Sequence, residues 1–358
     1  MIKYITKKIL YSLLVLYGVI TVIFFLFNVL PGDPATIMLG QRANKEAIEA
    51  IHKDLGTDKP IMEQYAMYLN DLSPISIHNN TNNQSPWFLN PEKYNWKPLF
   101  TIGENKSIIA KLPYLRRSYI TKRRVSDIIV ETLPETAVLA FTSIVIASII
   151  GVFLGIVSAI KRNTIYDRVS LVLAVLGMAA PSFFVGLIIA WLFGYVLTEY
   201  TGLSPTGSLY DIDVWEGETL KLKNLILPAI TLGIRPLAIV VQLMRSSLLD
   251  VMNQDYIRTA KAKGLSMYAV IIKHALKNAL NPVVTAISGW FAGLMAGAVF
   301  VEYIFNWKGI GYEVFEALTK NDLPVVMGAT LIFASIFVVT NIFVDIAYGI
   351  LDPRVRVK

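Results

Sequence analysis

The residues with chemical potential in this 358-residue sequence are few and scattered. His52, His78 and His274 are its only imidazoles, and cysteine is absent. That excludes a disulfide framework, a thiolate metal site and a cysteine nucleophile, and it leaves no histidine spacing suited to a metal centre. No Gly-x4-Gly-Lys-Ser/Thr loop is present to cradle nucleotide phosphates, and neither His-Glu-x-x-His nor Gly-x-Ser-x-Gly signals hydrolysis. The expectation is a chain with no catalytic residue, no metal and no cofactor of its own, which draws any energy it uses from another subunit.

Two cationic features remain. Arg235 sits inside an apolar run and immediately precedes Pro236, with Pro228 upstream. Proline removes a helix hydrogen bond and pushes the residue before it out of the α region. A charge and a break together predict backbone lining a polar cavity, where Arg235 would attract a carboxylate. An arginine that pairs with another subunit, or snorkels outward, is the competing reading.

The second feature is the stretch from Asp255 to Pro282. Asp255–Lys263 forms a short helix with an acid at its positive end and Lys261 and Lys263 at the other, as the macrodipole prefers. Gly264 supplies the left-handed residue that ends it. Ser266 caps a second helix over Met267–Leu280, and Asn281-Pro282 reads as the N-cap and first residue of the fifth span. Two short helices hinged at a glycine make either a rigid knob that takes a push from a soluble partner or a basic pair attracted to anionic lipid.

The elements that hold these features are set by the solvent. The chain is 54% apolar and 16% charged, against about 25% charged for a soluble protein. Six apolar runs are long enough to cross a bilayer as helix: 9–30, 136–160, 169–198, 224–244, 279–301 and 323–344. The first follows Lys3, Lys7 and Lys8 but ends in Leu30-Pro31-Gly32-Asp33-Pro34 instead of a cleavage site, so it reads as a retained anchor. Fifteen Lys/Arg fall on the side of the two termini and four in the short loops opposite. Both termini are therefore expected in the cytoplasm. The net charge of +7 follows this membrane asymmetry, and no nucleic-acid partner is expected.

The long segment 31–133 lies outside on this topology, with two amphipathic helices over Glu46–Leu55 and Pro60–Leu72, then a loop. Trp87, Phe88, Tyr94, Trp96 and Phe100 cluster after it as an aromatic belt or a small folded cap, with a docking surface as the alternative. Gly289, Gly293 and Gly297 recur every four residues in the fifth run, as do Gly151 and Gly155 in the second. Such spacing lets helix backbones approach, either at a moving or subunit-facing seam or in static packing within the chain.

Arg258-Thr259-Ala260 followed by Gly264 resembles the coupling motif of ABC-importer permeases, with Arg-Thr in place of the usual Glu-Ala. That departure is similar to the dipeptide/oligopeptide/nickel branch of the family. The same branch is matched by Leu30-Pro31-Gly32-Asp33-Pro34-Ala35, Pro181-Ser182-Phe183-Phe184-Val185-Gly186 and Met244-Arg245-Ser246-Ser247. Phe305-Asn306-Trp307-Lys308-Gly309-Ile310-Gly311, Asn321-Asp322-Leu323-Pro324 and Leu351-Asp352-Pro353-Arg354 complete the set. Only Ser73–Arg124 has no counterpart and reads as an insertion.

The resemblance implies an all-α membrane protein with six transmembrane helices in the type I importer fold. Its parts are a cytoplasmic N-terminus (1–8), a first helix (9–30), the extracytoplasmic segment (31–133), the transmembrane domain (134–349, coupling segment 255–281) and a cytoplasmic tail (350–358). It implies half of a translocation path for peptides, paired with a second, similar permease as a heterodimer. Two ATPase subunits using ATP and Mg would drive it, an extracytoplasmic substrate-binding protein would feed it, and membrane lipid would surround it. Coupling would fall to Asp255, Arg258, Thr259, Ala260, Lys261, Gly264, Leu265 and His274, and Arg235 would face the path. A nickel chelate is the alternative cargo within the branch. An ion-gradient transporter is the alternative class, but no internal repeat and no midplane carboxylate is found.

Overall fold

The computed structural model describes residues 2–29, 45, 48–49, 52, 56–79, 85, 87–91, 93–102, 106–213 and 217–351. Two compact units result: residues 1–13, 132–315 and 333–358 form one, and 14–131 with 316–332 the other. Most of Glu46–Leu55 and the motifs around Pro31 and Pro353 lie outside the described residues.

The helical unit is built on α3 (Val125–Ile160), α4 (Ile165–Ala179), α5 (Ser182–Trp191), α6 (Ile226–Met252), α7 (Asp255–Ala262), α8 (Leu276–Gly297) and α9 (Val299–Phe305). Together with α1 (Ile2–Val29), α10 (Ile310–Thr319) and α11 (Leu323–Leu351), these account for all six apolar runs. Four runs lie on unbroken helices, and two lie on bent pairs. The run 169–198 is not one helix. Ala180 is extended, its N–H ends the previous helix on Leu176 O, and Pro181 opens the next, so α4 and α5 meet at 110°.

Helix α6 is the packing centre, and glycine sets how closely its neighbours come. A Cβ on Gly151 would lie 2.7 Å from Val240 Cγ1, and one on Gly155 2.6 Å from Met244 Cβ. On α4, a Cβ at Gly177 would lie 3.0 Å from Ile234, and on α6 itself a Cβ at Gly233 would lie 2.9 Å from Ser143 O. The Gly151/Gly155 pair is thus a seam within the chain. A Cβ on Gly289 or Gly293 would meet nothing within 4 Å, so packing within the chain does not account for them. The surroundings of Gly297 lie outside the described residues.

The expectation of an all-α chain is corrected by two small sheets. Strands β1 (Ile75–Asn79), β2 (Trp96–Ile102) and β3 (Lys106–Lys111) form an antiparallel sheet in the order β1-β3-β2, and β4 (Tyr210–Asp213) pairs with β5 (Gly217–Leu220). In β1 the polar Ser76 and His78 are buried, while Ile75 and Ile77 are exposed. This reversed alternation hides the strand from a hydrophobic pattern. Helix α2 (Ile61–Leu72) brings buried Asp71 to this cap, where it accepts from Tyr94 Oη at 2.5 Å and pairs with Lys93 at 3.4 Å. Leu89, Tyr94 and Ile109 form its apolar core with Trp96 packed against it, so these two aromatics belong to a folded cap, whereas Phe100 is exposed. In the same unit Asp322 takes the Tyr119 N–H at 2.9 Å and the Ser118 hydroxyl, fixing the turn before α11.

Gly155→Ala forces apart two packed helices and should cost about 1–3 kcal/mol, whereas Gly289→Ala meets open space and should leave the melting temperature of the extracted protein unchanged. His78 is held at a pKa of about 4 by burial first and Lys111 second. Its folded pKa lies below its unfolded value, so the unfolded cap binds more protons between about 6.5 and 4. Stability of the cap should fall as pH drops through that window, read as faster amide exchange in β1–β3 after correction for intrinsic rate, and His78→Phe should flatten the loss.

Candidate functional site

The basic stretch 255–281 folds as one clamp. Helix α7 carries Asp255 in its first turn and Lys261 in its last. Gly264 follows at φ +78°, and a Cβ added there would meet open space, so the left-handed turn, not crowding, requires glycine. Ser266 caps the next helix, its Oγ accepting from Ala269 N at 3.3 Å. That helix passes from Met267–Val270 through a π turn at Ile271–Ala275 into α8.

Asn281-Pro282 is therefore not a helix start. Pro282 lies inside α8, and the second helix of the knob is the beginning of the span itself. A proline is tolerated there because only one ladder bond, to the carbonyl four residues back, is removed while helix continues on both sides.

The inner face of α7 is anchored. Ile257 is fully buried and Ala260 is 6% exposed, packed with Met244 and Leu248 of α6 and with Val270, Ala275, Ala279 and Val283. Ala159 at the end of α3 joins the same cluster. Asn278 Nδ2 donates to Tyr256 Oη at 2.8 Å across the clamp. The outer face is free: Arg258, Thr259, Lys261 and Leu265 are exposed, and among the described residues Arg258 pairs only with Asp255, at 3.4 Å. His274 is half-buried in the π turn. Ala260 thus belongs to the anchoring face, while the other coupling candidates, apart from half-buried His274, face outward.

Two polar sites missed by the sequence reading hold helix ends. Asp167 is buried and receives Arg245 Nε at 2.6 Å and Nη2 at 2.8 Å, Ser158 Oγ at 2.5 Å and Asn163 N at 2.9 Å. This bidentate pair ties the α3–α4 turn to α6 and explains Arg245 in its motif. Glu302 is fully buried and accepts from Thr136 Oγ1 at 2.8 Å and Tyr312 N at 3.0 Å. Thr136 Oγ1 in turn accepts from Ile310 N at 2.9 Å, so the Glu302–Thr136 pair caps the start of α10. Asn306 at φ +54° turns the chain, buried Trp307 donates Nε1 to Glu135 O at 3.0 Å, and Gly309 and Gly311 leave room for the Glu302 carboxylate. The only signal in sequence was the clustered Asn and Gly of 305–311.

Arg235 lies on an unbroken helix. The predicted break at Pro236 is absent: α6 runs from Ile226 to Met252 with Pro236 buried inside it. Buried packing on Ala238 and Val241 holds the helix through the proline. Arg235 is exposed, and among the described residues it makes no hydrogen bond or ion pair. No group of three His, Asp or Glu able to hold a metal occurs among the described residues.

Residues 151–357 match the family described as binding-protein-dependent transport system inner membrane component, and residues 1–88 match the N-terminal component of the same system. The dipeptide transport system permease protein DppB of Alkalihalophilus pseudofirmus is 34% identical over 99% of this chain and 100% of its own length. The di/tripeptide transport system permease protein DppB of Pseudomonas aeruginosa is 32% identical over 99% of both chains. The glutathione transport system permease protein GsiC of Escherichia coli K12 is 31% identical over the full length of both. These likenesses, with several helices long and apolar enough to cross a membrane, identify a multi-pass transport component and not a catalytic enzyme. The chain belongs to the binding-protein-dependent transport family, as an ABC-importer permease of the dipeptide/oligopeptide branch.

Proposed function

We propose that this chain forms half of the path by which peptides cross the inner membrane, with a second, similar permease as the other half. Two ATPase subunits supply the energy, holding the ATP and Mg that this chain does not bind, and an extracytoplasmic binding protein delivers the peptide. The chain crosses six times, with 1–8 and 350–358 in the cytoplasm, 31–133 outside, and 134–349 as the transporting domain. Peptides are favoured as cargo because the similar permeases are named for dipeptides, di/tripeptides and glutathione.

The observation that carries the mechanism is the clamp of α7. A push on the exposed Arg258, Thr259, Lys261 and Leu265 cannot be absorbed locally, because Ile257 and Ala260 are packed into α6 and α8. Helix α8 continues from the knob without interruption. Closure of an ATPase pair against α7 would therefore move two spans together, with His274 at the edge of the same contact. The Gly264 turn fixes the angle between α7 and the span.

Gly264→Val places a branched side chain in a left-handed conformation at a cost of about 1–2 kcal/mol, roughly tenfold in any equilibrium the knob takes part in. In proteoliposomes holding the whole transporter, Gly264→Val should keep ATP hydrolysis and lose about tenfold in peptide uptake, and Gly264→Asn, which tolerates that conformation, should restore most of it. Uptake unaffected by valine would refute the coupling role.

A further inference from the structure

The spans differ in what they expose. The outward faces of α1, α3, α4, α5 and α11 carry large apolar side chains such as Leu14, Phe153, Leu173, Trp191 and Phe343. Helix α6 is different: beyond Ile230 it exposes no large apolar side chain among the described residues. From Arg235 on, its fully exposed positions are all polar, Arg235, Ser246 and Asp250 with Asn253 just beyond the helix, and half-buried Gln242 shares their side with half-buried Ile239 and Leu249. Arg235, Gln242, Ser246 and Asn253 are spaced by seven, four and seven residues, which places them on one face of an α-helix. The stripe starts with a cation unpaired among the described residues, ten residues into the helix, and stops two residues before α7 begins. Arg245, next to the stripe in sequence, is turned away and neutralised by Asp167.

A guanidinium and a carboxamide on a hydrocarbon-facing surface carry a heavy desolvation cost. The same groups turned to a water-filled path carry none, and Arg235 is the one cation among them, with the exposed carboxylate of Asp250 near the C-terminal end of the helix. We propose that Arg235, Gln242 and Ser246 form an anion-selective stripe along the cytoplasmic half of the path, with Arg235 as the residue that engages the carboxylate of the passing solute. This rests on the peptide-permease reading and adds to it the residue that recognises charge and the side of α6 that solute follows. Ser246 is suited to the lower part of the stripe: its Oγ bonds back to Gln242 O at 3.0 Å and leaves a small polar surface without charge. A solute released from Arg235 therefore meets no second fixed cation on this face before the end of the helix.

The absence of cysteine makes the stripe directly testable. Gln242→Cys, Ser246→Cys and, on an apolar face, Phe153→Cys are introduced singly into the assembled transporter, with cysteine-free partner subunits, in proteoliposomes. Each is treated with an anionic and a cationic methanethiosulfonate of similar size, with and without ATP. Gln242→Cys and Ser246→Cys should react and be slowed by excess dipeptide, and Phe153→Cys should not react. Gln242 lies about 10 Å along the axis from Arg235, so adding Arg235→Gln should lower the anionic-to-cationic rate ratio at Gln242→Cys by about tenfold. Arg235→Lys should preserve it. If an assembly that still takes up peptide leaves both stripe positions unreactive, the stripe faces protein or lipid and the proposal is wrong. If they react but the ratio ignores Arg235→Gln, the charge role is wrong. If wild-type assembly shows no ATP-dependent peptide uptake, the permease reading itself fails.

Discussion

The close approach of α3 and α4 to α6 is the constraint on which the helical unit depends. Between apolar helices in lipid there is little hydrophobic gain to hold them together, so contact must come from fit. Gly151, Gly155, Gly177 and Gly233 provide it by removing the side chains that would keep the backbones apart. With α6 buried on these sides, its remaining face is the one that holds Arg235, Gln242 and Ser246. The same packing that makes α6 central thus determines which of its residues stay exposed.

Where backbone leaves the helix, charged side chains replace the lost hydrogen bonds. Asp167 covers the turn between α3 and α4 and is itself neutralised by Arg245. Glu302 and Thr136 cover the start of α10. Both carboxylates are buried, and each is bound by several donors, which is the condition under which buried polar groups are tolerated. These fixed ends leave α7 as the exposed element on its side of the clamp, joined to α6 and α8 by apolar packing alone on its inner face, apart from the Tyr256–Asn278 bond.

Much of this is legible in the sequence because lipid imposes strong rules. The six apolar runs, the α7 helix, the Gly264 turn and the Ser266 cap are all visible in local chemistry. What escaped was decided by distant contacts or by reversed patterns. Helix α3 begins at Val125, well before its apolar run, because Pro134 and the acids around it are carried by tertiary packing. Pro236 and Pro282 look like breaks, yet both sit inside helices held by their neighbours. Strand β1 buries Ser76 and His78 and exposes its isoleucines, so its pattern points to the wrong face. Asp167 and Glu302 stand out little in the sequence because the side chains that join them to other helices, Arg245 and Thr136, lie 78 and 166 residues away. The glycines at 289 and 293 could be read as a seam, but only their empty surroundings separate them from the pair at 151 and 155.

On the function proposed above, this chain is a passive half whose motion is imposed by ATPases bound at α7. Mild extraction of the tagged chain from its native membrane, followed by mass spectrometry of the proteins that remain attached, tests it most directly. A second six-span permease should remain attached, together with ATPases carrying the phosphate-binding loop that this sequence lacks, and the ATPases should be lost when Arg258 and Lys261 on the outer face of α7 are both replaced by glutamate. A chain that is recovered alone or only with copies of itself, reproducibly and with ATP present, would contradict it.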